Sequence, residues 1–398
     1  MIANSLFWIG LVVSLGIGFV YFRDLGDVTQ MIIRVKRANM VRAIRHEYTL
    51  IGIGLAGAFV AGLMHLGFGA GPAWAFWAGL ALVALFYVFP WVYVHLGLRN
   101  QMSSARYYPI KEAKDYVAPA NSVLVIENNG VARAHPDHQL LRPHLAGNAE
   151  GLDGEDVVMT YCAMANLGVG YKPEIKGQRL KLEVLAQHGN NLILRDNATG
   201  EPIQHIYGRF DGAGPNDDGM TPWPTFRMSF RGFEKAYPDG QVYLNKPSAN
   251  PLLRLFDMAM EIAFSSGIVR QHQEAAPIMS NMTHFDDRLP NKTYVWGIDI
   301  GEDAVCYTED FIKAQGNILN TTVGGRDIVF AHHPEYDSTG AWYNDSGSSV
   351  KRIDFFGKSD HGQLQRVERL KPGLFWHVWV QFLPHTEINR VSRVARAA

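Results

Sequence analysis

Cysteine is almost missing from this sequence, with only Cys162 and Cys306 among 398 residues. At most one bridge can form, so a disulfide-stapled scaffold is excluded and the redox compartment stays open. An excess of either charge is missing too. Lys and Arg number 37 against 38 Asp and Glu, which leaves no basic surplus for a nucleic-acid partner, and none is expected. There is no Walker or dinucleotide-type phosphate loop and no hydrolase-type serine elbow. The N-terminus lacks a basic n-region, and no small-residue cleavage site precedes Arg23, so the first apolar run is expected to be retained.

Long apolar runs, by contrast, are present near the N-terminus, although a mean hydropathy of −0.07 conceals them. Residues 5–22 are uncharged and long enough to cross a bilayer. A second uncharged stretch breaks at Gly67-Phe68-Gly69-Ala70-Gly71-Pro72, a tight-turn composition that divides it into spans at 50–67 and 73–95. Trp74 and Trp77 open the last span and Tyr87, Trp91 and Tyr93 close it, as headgroup-level aromatics do. Residues 1–98 are therefore expected to be a membrane anchor of three transmembrane helices, with the lipid bilayer as partner.

Between the first two spans, 23–48 carries Arg23, Arg34, Lys36, Arg37, Arg42 and Arg45. Val28, Met31, Ile32, Val35, Val41 and Ile44 recur near helical spacing, which fits a basic segment lying on an anionic leaflet, with a solvated loop as the alternative. A hairpin of spans returns the chain to its starting side, so 23–48 and everything after 98 share one face. Arg99, Arg106, Lys111 and Lys114 add positive charge there. The positive-inside rule makes that face the cytoplasmic side of a bacterial-type inner membrane, with the periplasmic side as the alternative.

Residues 99–118 are expected to be a linker and 386–398 a basic tail. From 119 to 385 the pattern becomes short apolar runs bounded by Gly, Asn and Asp, which predicts an α+β fold whose soluble part is mainly antiparallel and β-rich. Leu180–Ala186 and Leu192–Arg195 face each other across His188-Gly189-Asn190-Asn191 as a hairpin. Residues 251–268 are expected to form a helix with apolar positions 252, 255, 256, 259, 262 and 263 on one side, and Met258 and Met260 in the core. Shifting the chain by about 172 residues aligns Ile126-Glu127 and Asp156-Val157-Val158 with Ile298-Asp299 and Asp327-Ile328-Val329. That predicts an internal β repeat with halves at 119–245 and 290–385, in which Cys162 falls opposite His333.

The run 123–162 carries Asn129, Gly130, Ala132, Arg133, Ala134, His144, Val157 and then Thr160-Tyr161-Cys162. It resembles the bacterial and archaeal family known as domain of unknown function 3179, with further similarity at Asn197–Gly200 and Tyr237–Gly240 and a weaker echo over 294–343. The resemblance covers most of 119–345 and implies no activity, since the family has none assigned. Ala165 stands where members commonly have a second cysteine, so no local dithiol can form.

His135, His138 and His144 lie close together in sequence, Cys162 ends the next expected strand, and His333 is its counterpart in the repeat. Imidazole and thiolate are donors that copper and zinc prefer, so these five residues are the candidate metal ligands. Opposing this, the spacing matches no established signature, adjacent His332 and His333 would point to opposite faces of a strand, and 15 histidines will cluster by accident. A metal- or small-ligand-binding role at this Cys/His cluster is the functional expectation. The alternatives are a noncatalytic assembly or accessory subunit with a membrane-protein partner, and a thiol-dependent enzyme using Cys162 with His144 or His333 as base. Trp376 and Trp379 are expected in the core.

Overall fold

The computed structural model describes residues 1–27, 30, 33–98, 100–214, 216–278 and 281–390, the side chains of 263–269 apart. Val28, Met31, Ile32, Arg99, Ala263 and most of the basic tail, named above, lie outside these. The described chain divides into two compact units, one comprising Met1–Arg99, Lys181–His188 and Leu192–His205, the other the remainder.

In the first unit, three helices are long and apolar enough to cross a membrane: Ile2–Leu25, Glu47–Phe68 and Ala73–Gly97. Their outward faces carry exposed apolar residues such as Val12, Phe19, Phe59, Leu66 and Trp77, as lipid-facing surfaces do. Glycine sets how they meet. A Cβ on Gly10 would lie 2.6 Å from the Gly57 carbonyl oxygen, and one on Gly57 would lie 2.8 Å from that of Gly10. The first two helices therefore touch backbone to backbone, the small-residue packing that lipid surroundings favour. The third helix pushes Tyr87 between Gly18 and Gly54, and the Tyr87 hydroxyl donates to the Ser14 carbonyl at 2.7 Å. The basic segment contains one described helix, Arg37–Arg45, with Val41 and Ile44 buried.

The expected hairpin is present, as strands Leu182–His188 and Asn191–Asp196. Its turn residues Gly189 and Asn190 both have positive φ, 60° and 62°, the primed-turn geometry that suits the twist of paired strands. These strands group with the three apolar helices. Glu47 starts the second helix fully buried, and its Oε2 accepts from Arg195 Nη1 at 2.6 Å. Arg195 Nη2 reaches Glu183 Oε2 at 2.8 Å. His95 lies between the two carboxylates, Nε2 at 3.0 Å from Glu47 Oε1 and Nδ1 at 2.6 Å from Glu183 Oε1. The Tyr21 hydroxyl donates to Glu47 at 2.8 Å. The spans and the hairpin thus close a buried ionic network in which each charge meets opposite charge.

The second unit is built on an eight-stranded sheet in the spatial order Tyr107–Pro109, Gln241–Tyr243, Val131–Pro136, Ser122–Asn128, Thr225–Ser229, Ser338–Tyr343, Arg326–His333, Ile318–Val323. Its first strand falls inside the stretch expected to be a linker. Pairing is antiparallel except between Gln241–Tyr243 and Val131–Pro136. A four-stranded sheet holds Val158–Cys162 against Leu167–Lys172, and another holds Tyr294–Ile300 against Asp303–Tyr307. Two hydrophobic cores lie against the large sheet, one around Val123, Phe226 and Phe233, the other around Ile298, Tyr307 and Phe330. Trp376 and Trp379 are fully buried in the helix Trp376–Phe382.

The helix Pro251–His272 forms as expected, capped by the Asn250 side chain, which accepts from Leu252 N and Leu253 N. Its apolar side is not core. Met258 is 51% exposed and Met260 only partly buried. The two sequence halves share a local plan: Val158–Cys162 and Arg326–His333 each end at a four-residue turn, with Cys162 paired to Leu167 and His333 to Ser338. The last turn residue is left-handed in both, Asn166 at φ 53° and Asp337 at φ 50°. These two hairpins belong to different sheets.

Candidate functional site

The histidines singled out from sequence each find their own surroundings. His135, fully buried in Val131–Pro136, has Nε2 3.0 Å from the Tyr107 hydroxyl and Nδ1 3.3 Å from the Leu124 carbonyl oxygen. Burial, with the Arg133 charge, holds its imidazole at about 3. His138 follows in a short turn, and burial lowers its pKa as well. His144 is buried at φ 53°, with its carbonyl taking the Tyr161 N–H at 2.8 Å, and burial brings its ring to about 4. His333 packs edge-on against Trp342 and Phe355 and is lowered to about 4 by burial and then Arg366. Its neighbour His332 turns the other way, with Nδ1 3.0 Å from Thr339 Oγ1. Cys162 is fully buried, and its thiol faces the Asn190 carbonyl oxygen at 3.7 Å. Among the described residues, no group of three or more His, Cys, Asp or Glu is placed to hold a metal ion. The five proposed ligands are therefore not supported as a metal centre; His135 and His333 lie on strands of the eight-stranded sheet, His138 in a short turn, His144 just before Leu145, and Cys162 in a different sheet.

What the Thr160-Tyr161-Cys162 strand end does gather is a knot of backbone around Arg227. Arg227 donates from Nη1 to Ser122 Oγ at 2.6 Å and to the Asp137 carboxylate, from Nη2 to the Asn166 carbonyl at 3.1 Å, and from Nε to the Pro372 carbonyl at 3.2 Å. Asn166 Nδ2 donates to the Gly373 carbonyl at 2.7 Å, and the Tyr161 hydroxyl donates to Asn166 Oδ1 at 3.1 Å. Gly373 is left-handed at φ 73°, and a Cβ there would come within 2.8 Å of Arg227 Nε. Ser338, opening the strand after the second four-residue turn, donates to the Arg227 carbonyl at 2.9 Å. Arg227 thereby ties both turns, the first through its guanidinium and the second through its backbone carbonyl, a structural use of the motif. Sequence reasoning missed Arg227; its only signal was a cation between Phe226 and Met228 in the short run Thr225–Ser229.

Elsewhere in this unit lies a cleft of two adjoining cavities, about 280 Å³ and 840 Å³, that share Tyr207, Arg209 and Asp299. Lys371 reaches up to Asp299 as a buried ion pair at the floor. The Tyr207 hydroxyl donates to the Phe382 carbonyl at 2.6 Å, and its ring meets Phe382 edge-on at 6.0 Å. Burial, then the Asp299 charge, raises Tyr171 and Tyr207 above the ordinary tyrosine range, so both keep their protons. The walls carry seven acids, Asp217, Asp218, Asp299, Glu302, Asp303, Glu368 and Glu387, against four cations, Arg209, Arg369, Lys371 and Arg390. Gly301, Gly324 and Gly325, all at positive φ, bring backbone close along one edge of the larger cavity. Such a space can hold a small polar molecule through carboxylate acceptors, tyrosine hydroxyls and aromatic faces.

Comparison with curated proteins and with solved structures finds no match. The sequence pattern of the family described as protein of unknown function (DUF3179) matches residues 101–386, well over half of the chain and wider at both ends than the stretch in which the resemblance is visible by eye. The chain belongs to that family.

Proposed function

We propose that this is a membrane-anchored binding protein whose β-rich unit takes a small polar molecule, one bearing an amine or several hydroxyl groups, in the cleft around Tyr207, Arg209 and Asp299. The observation that carries this reading is the surplus of carboxylates over cations on the walls of an approximately 840 Å³ cavity. A surplus of that sign favours cationic or hydroxyl-rich guests and opposes anions. Binding there needs none of His135, His138, His144, Cys162 or His333. The charge of residues 23–48 supports a cytoplasmic setting for the cleft.

The test is a thermal-shift screen of the purified full chain against amines, polyols and sugars, with organic anions as the contrast. A ligand at a hundredfold its dissociation constant stabilises the folded state by about 2.7 kcal/mol. Cationic or polyol ligands are expected to raise Tm, and Glu302→Lys, which reverses one wall charge, should weaken them. Stabilisation by anions alone, or binding indifferent to Glu302→Lys and Tyr207→Phe together, would sink the proposal.

A further inference from the structure

We infer that the helix Pro251–His272 lies on a lipid bilayer with its apolar stripe in the headgroup boundary. At ~100° per residue, Met258, Ile262, Leu255, Ala259 and Leu252 fall in one stripe roughly 120° wide. That stripe is open: Leu252 is 80% exposed, Leu255 67%, Met258 51% and Ile262 65%. Large apolar side chains in a contiguous exposed row mark a surface that something covers. The stripe contains no acid. Asp257 and Glu261 fall on the other, partly buried side, where Arg142 Nη1 holds Asp257 Oδ1 at 2.7 Å. That ion pair, with the N-cap at Asn250 and the contact of His272 with the Ala163 carbonyl, sets the rotation of the helix, so the stripe faces outward from its own unit.

The occupant follows from the covalent chain. Gly97 ends the third membrane helix and Tyr107 opens the first strand of the second unit. Ten residues span at most ~35 Å, so this unit is always held near a bilayer. Arg254, exposed at the edge of the stripe, adds a cation where anionic headgroups would meet it. An exposed helical stripe that is apolar and free of acids is of the surface-lying kind, and a bilayer is the apolar phase the three long apolar helices bring with them.

The native thiols make the test clean, because Cys162 and Cys306 are both fully buried. Full-length protein carrying Ile262→Cys or Leu255→Cys is labelled with an environment-sensitive fluorophore and reconstituted in nanodiscs of mixed zwitterionic and anionic lipid. Lys235→Cys, on a separate short helix, is the control. The expected result is blue-shifted emission at 262 and 255, quenched by spin-labelled lipid and shielded from aqueous iodide, with Lys235→Cys showing the reverse. Quenching by iodide as strong as at the control would overturn the inference. Shielding from both quenchers would overturn it too, and a crosslink between copies at 262 would then assign the stripe to a second copy of the chain. None of these readouts depends on the cleft.

Discussion

Replacing Glu47 with Ala tests the buried network that joins the long apolar helices to the hairpin Leu182–Asp196. Glu47 is 0% exposed and accepts from Arg195, His95 and Tyr21 at 2.6, 3.0 and 2.8 Å. Removing it leaves Arg195 and His95 to share one carboxylate, Glu183, and takes the acceptor from the Tyr21 hydroxyl. Breaking a buried pair from one side typically costs about 3–5 kcal/mol, because the remaining charge keeps its desolvation penalty without its compensation. At about 2–4 °C per kcal/mol for a chain of this order of size, Tm should fall by on the order of 10 °C. The assay is thermal unfolding of the detergent-solubilised chain beside Glu201→Ala, which removes the half-exposed partner of Arg45. That control should cost no more than about 1 kcal/mol. Replacing Glu47, Glu183 and Arg195 together with leucine or methionine should recover much of the loss, since buried networks trade nearly evenly against apolar packing. A Glu47→Ala loss no larger than that of Glu201→Ala would refute the reasoning.

Three further outcomes are expected. His135 and His144 are neutral when folded and titrate near 6.5 when unfolded, so below pH 6.5 only the unfolded chain gains their protons; stability should fall with pH by about 1.4 kcal/mol per unit for each, down to about pH 4. His144→Asn, which tolerates the left-handed backbone there, should flatten the slope of Tm between pH 6.5 and 4.5, and an unchanged slope would count against a buried neutral His144. Maleimide should leave Cys162 and Cys306 unmodified in the native protein and modify both in denaturant, and rapid native labelling of Cys162 would revive the thiol-enzyme alternative. Reporters placed at residues 40 and 200 should map to one side of the membrane, and alkaline phosphatase fused after Ala398 should be inactive if that side is the cytoplasm.

The three long apolar helices were legible because such a helix announces itself by composition alone, without knowledge of what it touches. The hairpin turn was equally plain, since Gly189-Asn190 supplies two residues that tolerate positive φ. What that hairpin packs against could not be read. In sequence Glu47 is one charge of the segment 23–48 and His95 one polar residue at the end of 73–95, and only the fold brings Arg195 to Glu47 and Glu183 to His95. The same limit hid Arg227, whose partners come from Ser122, Asp137, Asn166 and Pro372, four separate stretches of chain. For the histidines the sequence suggested more than the structure supports. Their closeness in sequence suggested convergence, while sheet geometry sends His135 to Tyr107 and His333 to Trp342. In the helix Pro251–His272 the period was legible, but periodicity says only that one side is apolar, and not whether protein or something else meets it.

The ion pair between Glu47 and Arg195 also imposes a schedule on synthesis. The two residues are 148 positions apart. At roughly 5–20 residues per second, the second membrane helix emerges on the order of ten seconds or more before its arginine exists. For that interval the carboxylate at the head of the helix has only His95 and Tyr21 from the first hundred residues as partners, and water must serve in place of the arginine. The anchor therefore reaches its final packing only after nearly half of the polypeptide has been made. A chain that stalls or is cut before Arg195 would leave the three apolar helices with an unsealed charged end.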